Sequence, residues 1–186
     1  MKKYDVILAD PPWDFRVWDK DTGSGRSASA HYPTMSINDI CALPVRKLMK
    51  PDCALFLWAV WPSIFDNIPK LLSVWGFAYK TLAWIWVKSK KNGEGFTTGM
   101  GYYSRANSEP CLLAVRGSMP VAAHDVLAVI HSPRRAHSQK PDEQYEKIER
   151  LYPNMKYLEL FARQRRVGWD AWGAECEGSI KWNIPR

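Results

Sequence analysis

An aspartate, two prolines and a tryptophan stand together at positions 10 to 13, directly after the apolar run Tyr4 to Ala9. Asp10 brings a carboxylate acceptor and Pro11 a backbone carbonyl acceptor. Pro12 stiffens the turn, and neither proline has an N–H of its own. Trp13 is expected to offer a flat face. Two acceptors beside a flat face suit an amine on a planar ring, which presents two N–H donors and stacks. On adenine such an amine is a poor nucleophile, because its lone pair is delocalised into the ring. Acceptors that draw both hydrogens out of the ring plane favour a pyramidal nitrogen able to attack a sulfonium methyl in line. The proton leaves readily once the nitrogen is quaternised, so Asp10 need not be a strong base. Positioning and electrostatics then supply most of the rate.

The elements that must hold this segment are legible as an alternation. Tyr4 to Ala9 reads as a buried strand, stopped at the prolines. Residues 14 to 33 form a long polar loop, and a loop of that length inside a domain is usually functional or disordered. Ser36 to Met49 carries helix signals, with Ser36 as N-cap. Cys53 to Trp58 is a second strand. Pro62 to Trp75 reads as a helix with Pro62 near its start and Gly76 past its end. Tyr79 to Val87, Cys111 to Val115 and Val126 to Ile130 follow as strands, with a polar loop from Ser89 to Asn107. A helix from Lys140-Pro141 to about Tyr152 precedes a strand at Tyr157 to Phe161 and a last segment from Trp169 to Glu175. Strands alternating with helices imply an α/β domain with a doubly wound, mainly parallel sheet. Residues 1 to 186 read as one domain, without internal repeat. In such sheets ligands bind outside the carboxyl ends of the strands, which puts Asp10, the loop at 131 to 139 and the turn after Phe161 along one crevice.

Composition narrows the partner. The chain carries a net charge of +7 and ten tryptophans in 186 residues. Excess positive charge favours a polyanion, and aromatic faces pack on unstacked bases, although most tryptophans belong to cores. Arg16, Lys88, Lys90, Lys91, Arg105, Arg134 and Arg135 fall on loops at the active edge and are expected to meet phosphates of a nucleic acid. The cysteines at 41, 53, 111 and 176 are too far apart for a zinc or redox pair, so no metal is expected. No apolar stretch is long enough for a membrane span, and no secretory signal opens the chain, so a cytoplasmic protein is expected.

The tetrapeptide Asp-Pro-Pro-Trp resembles the catalytic motif of the amino-methyltransferases, in particular the adenine-N6 branch related to the messenger-RNA adenosine methyltransferase subunit (the MT-A type). Similar to that branch are also His31 to Ser36 (HYPTMS), Phe56-Leu57-Trp58, Trp86-Val87-Lys88, Gln139 to Glu143 (QKPDE) and Leu158 to Arg163 (LELFAR). The likeness runs over about residues 4 to 175, and small bacterial and phage DNA adenine methyltransferases look closest in length. The resemblance implies a Rossmann-like fold, S-adenosylmethionine as cofactor and methyl transfer to the N6 amine of adenine in DNA. It also implies roles for particular residues. Lys140 would hold the cofactor's carboxylate, and Asp10 would meet its ammonium as well as the adenine. Phe161, Arg163, Gln164 and Glu175 would surround its ribose and adenine. Tyr32 would be a loop aromatic near the target base.

Two departures from the family pattern bear on cofactor affinity. Ala174 stands where many relatives have Asn, and one lost hydrogen bond weakens binding by about 0.5–1.5 kcal/mol. Nine residues precede Asp10, so an upstream segment that walls the cofactor adenine in some relatives is expected to be missing. The target adenine must leave its stack or start in a single strand, and stacking on Trp13 would contribute about 1–3 kcal/mol. A chain of this size implies short sequence specificity or none. Two alternatives stand beside DNA methylation: the same reaction on RNA, and a non-catalytic nucleic-acid-binding subunit with a methyltransferase-like fold. Oligomeric state is not legible in the sequence.

Overall fold

The computed structural model describes residues 2–14, 34–61, 64–99, 103–135 and 139–180. Among the described residues, seven strands form one sheet: β1 (Tyr4–Ala9), β2 (Met49–Trp58), β3 (Ala78–Ser89), β4 (Ser108–Arg116), β5 (Val129–Pro133), β6 (Tyr157–Leu160) and β7 (Trp169–Trp172). Their order is β5-β3-β4-β2-β1-β6-β7. Four of the six pairings are parallel, and β4 runs antiparallel to both of its neighbours. Among the described residues, three α-helices accompany them: α1 (Ile37–Ala42), α2 (Ile68–Trp75) and α3 (Glu143–Leu151). The expected α/β, doubly wound, mainly parallel fold is what forms.

Alternation along the strands builds two cores. Ile7 and Ala9 of β1 and Leu55 and Leu57 of β2 face Ile40 of α1 and Leu71, Leu72 and Trp75 of α2. Val6, Leu8, Phe56 and Trp58 point the other way, toward Tyr145 and Ile148 of α3 and Tyr152 just past its end. Neighbouring side chains of one strand therefore lie in different cores, which is why β1 apart from Asp5, and β2 from Cys53 onward, are apolar. The tryptophans are largely structural: Trp58, Trp75, Trp84 and Trp86 are among the most deeply buried side chains.

Helix boundaries follow local chemistry more tightly than the expected spans. The Ser36 hydroxyl oxygen accepts from the Asp39 amide at 3.2 Å and caps α1. That helix ends at Ala42 instead of running to Met49. Leu43 precedes a proline and is therefore extended, with ψ of 132°; a 3-10 turn at Val45–Lys47 then leads into β2. The second helix begins at Ile68, not at Pro62, with Pro69 in its first turn where no amide is needed. Gly76 ends it at φ 81°, and its amide donates to Leu72 O at 2.8 Å. The Arg46 guanidinium donates to the last carbonyls, Ser73 and Val74, and a Cβ at Gly76 would come within 3.1 Å of it. The strand expected at Val126 to Ile130 starts three residues later, at Val129.

Strand direction determines which residues share an edge. The parallel strands β1, β2, β3, β5 and β6 finish along one edge of the sheet, at Asp10, Trp58, Ser89, Pro133 and Phe161. Antiparallel β4 begins at that same edge and delivers Ser108 and Glu109 to it.

Candidate active site at the carboxyl edge of the sheet

Asp10 leaves the end of β1 beside the end of β6, and the two strands pair in register up to Ala9 and Leu160. A cleft opens there, and its lining includes Asp10, Lys140, Glu159, Phe161, Arg163 and Gln164. Five of the six residues expected to hold a cofactor thus meet in one place. Glu175, the sixth, lies outside the lining but reaches Arg163, with its Oε1 3.5 Å from the Arg163 Nε.

The electrostatic centre is Lys140, at the entry to α3. Its Nζ donates to both oxygens of Asp10, at 2.9 and 2.8 Å, and lies 3.2 Å from Oε2 of Glu109. It also stands 5.4 Å from the centre of the Trp58 ring. Burial by itself would favour the neutral amine, but the Asp10 and Glu109 carboxylates outweigh it and raise the pKa of Lys140 above the usual lysine range. Asp10 is pushed upward by burial, with Lys140 pulling it back and Glu109 adding to the rise. Burial acts on Glu109 in the same sense, yet the ammonium groups of Lys140 and Lys88 prevail and hold it at about 2.

Glu159 of β6 forms the opposite wall. Burial raises its carboxyl to about 7, against the Tyr145 hydroxyl, which donates to both of its oxygens at 3.1 and 3.0 Å. Gln144 accepts from Trp58 Nε1 at 2.7 Å and fixes the floor. Phe161 has φ of 64°, a conformation rarely adopted by a large side chain. Its ring meets Trp172 edge-on at 5.4 Å. Such strain next to a cleft is a mark of a functional turn. This set fits the implied cofactor. A buried ammonium suits a carboxylate, a carboxylate suits an ammonium, and Arg163, Gln164 and the Phe161 ring stand where a nucleoside needs polar and flat partners.

Several expectations are corrected by the geometry. Trp13 is 4% exposed and belongs to the core, with its Nε1 donating to Trp58 O at 3.0 Å. The indole therefore braces the turn instead of offering an open stacking face. The proline carbonyls are not without local donors either. Pro11 O accepts from the Trp13 amide at 2.8 Å, and Pro12 O from the Met35 amide at 2.9 Å. A carbonyl has two lone pairs, so the second one of Pro11 is what remains for a ligand.

The expected phosphate contacts divide into two groups. Lys88 is a partner of Glu109 and lies 4.8 Å from the Trp86 ring, so its charge is largely used within the protein. Arg135 pairs with Asp142 at 2.6 Å. Lys90, Lys91, Arg105 and Arg134 are exposed. Arg16 and Tyr32 lie outside the described residues. Next to the exposed cations, Phe96 is 55% exposed and packs edge-on against exposed His131, with ring centres 5.9 Å apart.

Glu109, Glu159, Tyr145 and the Phe96–His131 pair were not anticipated. A charge heading the apolar run Cys111 to Val115 was the available signal for Glu109, but its value depends on a strand direction that local pattern does not reveal. Among the described residues, no group of three or more His, Cys, Asp or Glu is placed to hold a metal ion. No described helix is long and apolar enough to cross a membrane.

A family model described as MT-A70 matches residues 4–175. The type II methyltransferase M.MunI of Mycoplasma sp is 36% identical over 200 residues, covering 99% of this chain and 82% of that protein. The N(6)-adenosine-methyltransferase MT-A70-like protein of Arabidopsis thaliana is 30% identical over 178 residues, with 94% of this chain and 24% of the relative covered. The N(6)-adenosine-methyltransferase catalytic subunit METTL3 of Homo sapiens is 30% identical over 181 residues, covering 95% and 29%. The chain spans most of the first relative and about a quarter of the other two.

Proposed function

The chain belongs to the MT-A70 family, and on that premise we propose that it transfers a methyl group to the N6 amine of adenine in DNA. The observation that carries the proposal is the carboxylate of Asp10, presented at the end of β1 into a cleft and held there by Lys140. S-adenosylmethionine, when bound, supplies an electrophilic methyl group. Lys140, Arg163, Gln164 and Phe161 are the residues that would hold it, with Glu175 bracing Arg163.

The chain's own residues then have defined tasks. Asp10 accepts a hydrogen bond from the amine, and the Pro11 carbonyl accepts a second through its unused lone pair. Both bonds draw hydrogens out of the ring plane and strengthen as positive charge grows on nitrogen, so they favour the transition state over the ground state. Trp13 keeps the turn rigid through Trp58 O, which preserves the geometry that the amine requires. Burial around Lys140 and Glu159 keeps water from screening these charges.

The exposed cations support a nucleic-acid substrate. Three strand spacings of about 4.8 Å separate β3 from β1 and four separate β5 from it, so Lys90 and Lys91 at the end of β3 lie about 14 Å from Asp10, and His131 and Arg134 at β5 about 19 Å. Nucleotides flanking an extruded adenine would reach this strip. DNA is favoured by the match to a type II methyltransferase over most of that protein's length. RNA as substrate is the second reading, favoured by the N(6)-adenosine-methyltransferase relatives. We place the reaction in the cytoplasm of a bacterial or phage-infected cell, with the chain acting as one methyltransferase domain.

The test is incubation with methyl-labelled S-adenosylmethionine and unmodified double-stranded DNA, single-stranded DNA or RNA, followed by nucleoside digestion. Labelled N6-methyladenine from DNA, absent with Asp10→Ala, is the expected result. Label in RNA alone would move the assignment to the second reading. Cofactor binding without transfer to any of the three would identify a non-catalytic subunit.

A further inference from the structure

Two carboxylates converge on Lys140 from strands of opposite direction. Asp10 arrives at the end of parallel β1, and Glu109 at the start of antiparallel β4. The Lys140 side chain is 9% exposed and lies within 3.2 Å of both. The other oxygen of Glu109 is bonded to Nζ of Lys88. The row Lys88, Glu109, Lys140, Asp10 alternates in sign along the sheet edge.

In this arrangement both oxygens of Asp10 face one ammonium. The proposed reaction needs an oxygen of Asp10 to accept an N–H from the target amine; each oxygen has a second lone pair for it, but the bonds to Lys140 draw on the same negative charge and compete with the amine. A buried ammonium deprived of its counterion is strongly unfavourable. With a lone Asp10–Lys140 pair, that competition would be at its strongest.

We propose that Glu109 is a positioning residue that serves as the standing counterion of Lys140 and so weakens the competition of that ammonium with the target amine for Asp10. The inference rests on the adenine reaction proposed above. Glu109 touches no substrate in this scheme and acts through Lys140. Its suitability lies in being ionised throughout: burial opposes its charge, but Lys140 and Lys88 hold its carboxyl at about 2. It also acts on Asp10 by like-charge repulsion, which weakens the same grip from the other side. Lys88 completes the row, so that Glu109 is not drawn wholly onto Lys140.

The experiment compares wild type, Glu109→Gln and Glu109→Asp by titration of carboxyl-¹³C-labelled aspartate, with the Asp10 signal assigned through Asp10→Asn. Single-turnover methyl transfer is measured on the same proteins. Loss of the Glu109 charge leaves Lys140 to Asp10 alone. Asp10 is then expected to titrate at least one pH unit lower in Glu109→Gln, and the transfer step to slow at least tenfold. The acid limb of the residual activity moves down with it. Glu109→Asp, with a shorter carboxylate, shifts both in the same direction by less, and it carries the test if the glutamine variant does not fold. An unmoved Asp10 titration overturns the proposal whatever the activity. So does a moved titration with an unchanged transfer rate. Failure of wild type to methylate adenine overturns the functional reading instead, while the titration still reports whether Glu109 governs the grip of Lys140 on Asp10.

Discussion

Lys140 and Lys88 stand inside the edge of the sheet, paired with Asp10 and Glu109, whereas Lys90, Lys91, Arg105 and Arg134 stand a few residues away in solvent. The two groups are alike in sequence and differ in what water leaves them to do. Inside, each ammonium is enclosed by carboxylates, and its charge serves to hold and tune Asp10. Outside, no carboxylate is needed to stabilise the cation, and the charge is available to phosphate. Composition counts both groups in the same net charge of +7, but only the outer one contributes to counterion release on nucleic acid.

The comparison makes its largest prediction at the inner set. Asp10→Ala is expected to lower kcat for methyl transfer by about 10³-fold or more, while DNA affinity stays within about twofold. Transfer within tenfold of wild type would show that the inner group is not the reaction centre. Next, Lys140→Met leaves the buried Asp10 carboxylate without its cation, facing a Glu109 that keeps only Lys88. It is expected to destabilise the fold by about 3–5 kcal/mol in urea unfolding. Lys90→Met should cost less than about 0.5 kcal/mol, and equal losses would erase the distinction between the groups.

At the outer set, replacing Lys90, Lys91 and Arg134 together with glutamine should weaken DNA binding by at least about tenfold at low salt. The slope of log K against log salt should fall by about 2–3. An unchanged slope would mean that phosphate binds elsewhere. Glu159 sharpens the comparison by pH. Its carboxyl is raised to about 7 in the folded protein, so the native state holds its proton more tightly than the unfolded chain does. Stability from this group is complete below about 4.5 and is lost as pH rises toward 7. Glu159→Gln should therefore stabilise the protein by about 1–2 kcal/mol at pH 8 and by nothing measurable at pH 4. Glu109 has the opposite sign, because its lowered carboxyl loses stabilisation as pH falls from about 4.5 toward 2. The smallest effect is expected at Arg135→Gln: Asp142 already takes that guanidinium, and DNA affinity should change by less than about twofold.

The strands that carry Asp10 and Phe161 could be read because they are buried on both faces and stop at unmistakable punctuation, two prolines in one case and a basic turn in the other. Asp10 and the turn after Phe161 were legible as parts of one crevice for the same reason, whereas Lys140, Phe161, Arg163 and Gln164 as cofactor residues were legible only through the family resemblance. Asp10 and that turn each follow a strand, and right-handed crossovers place those positions at one edge. The helices were read less well where two signals competed. Pro44 ended α1 early, and Pro69 displaced Pro62 as the proline of the first turn of α2. Trp13 was misjudged because a tryptophan beside a reactive turn looks alike in sequence whether its ring faces a ligand or the core.

The sequence by itself determined the alternation of elements, the apolar strands, the caps and the Asp-Pro-Pro-Trp turn, since all of these depend on residues within a few positions of one another. Tertiary structure decided the direction of β4, and with it the arrival of Glu109 beside Lys140 from 31 positions away in the chain. It also decided that Lys88 turns inward while Lys90 remains in water. A run such as Cys111 to Val115 has the same period read forwards or backwards. Which end lies at the active edge is settled by hydrogen bonding to β2 and β3, contacts that no local pattern contains.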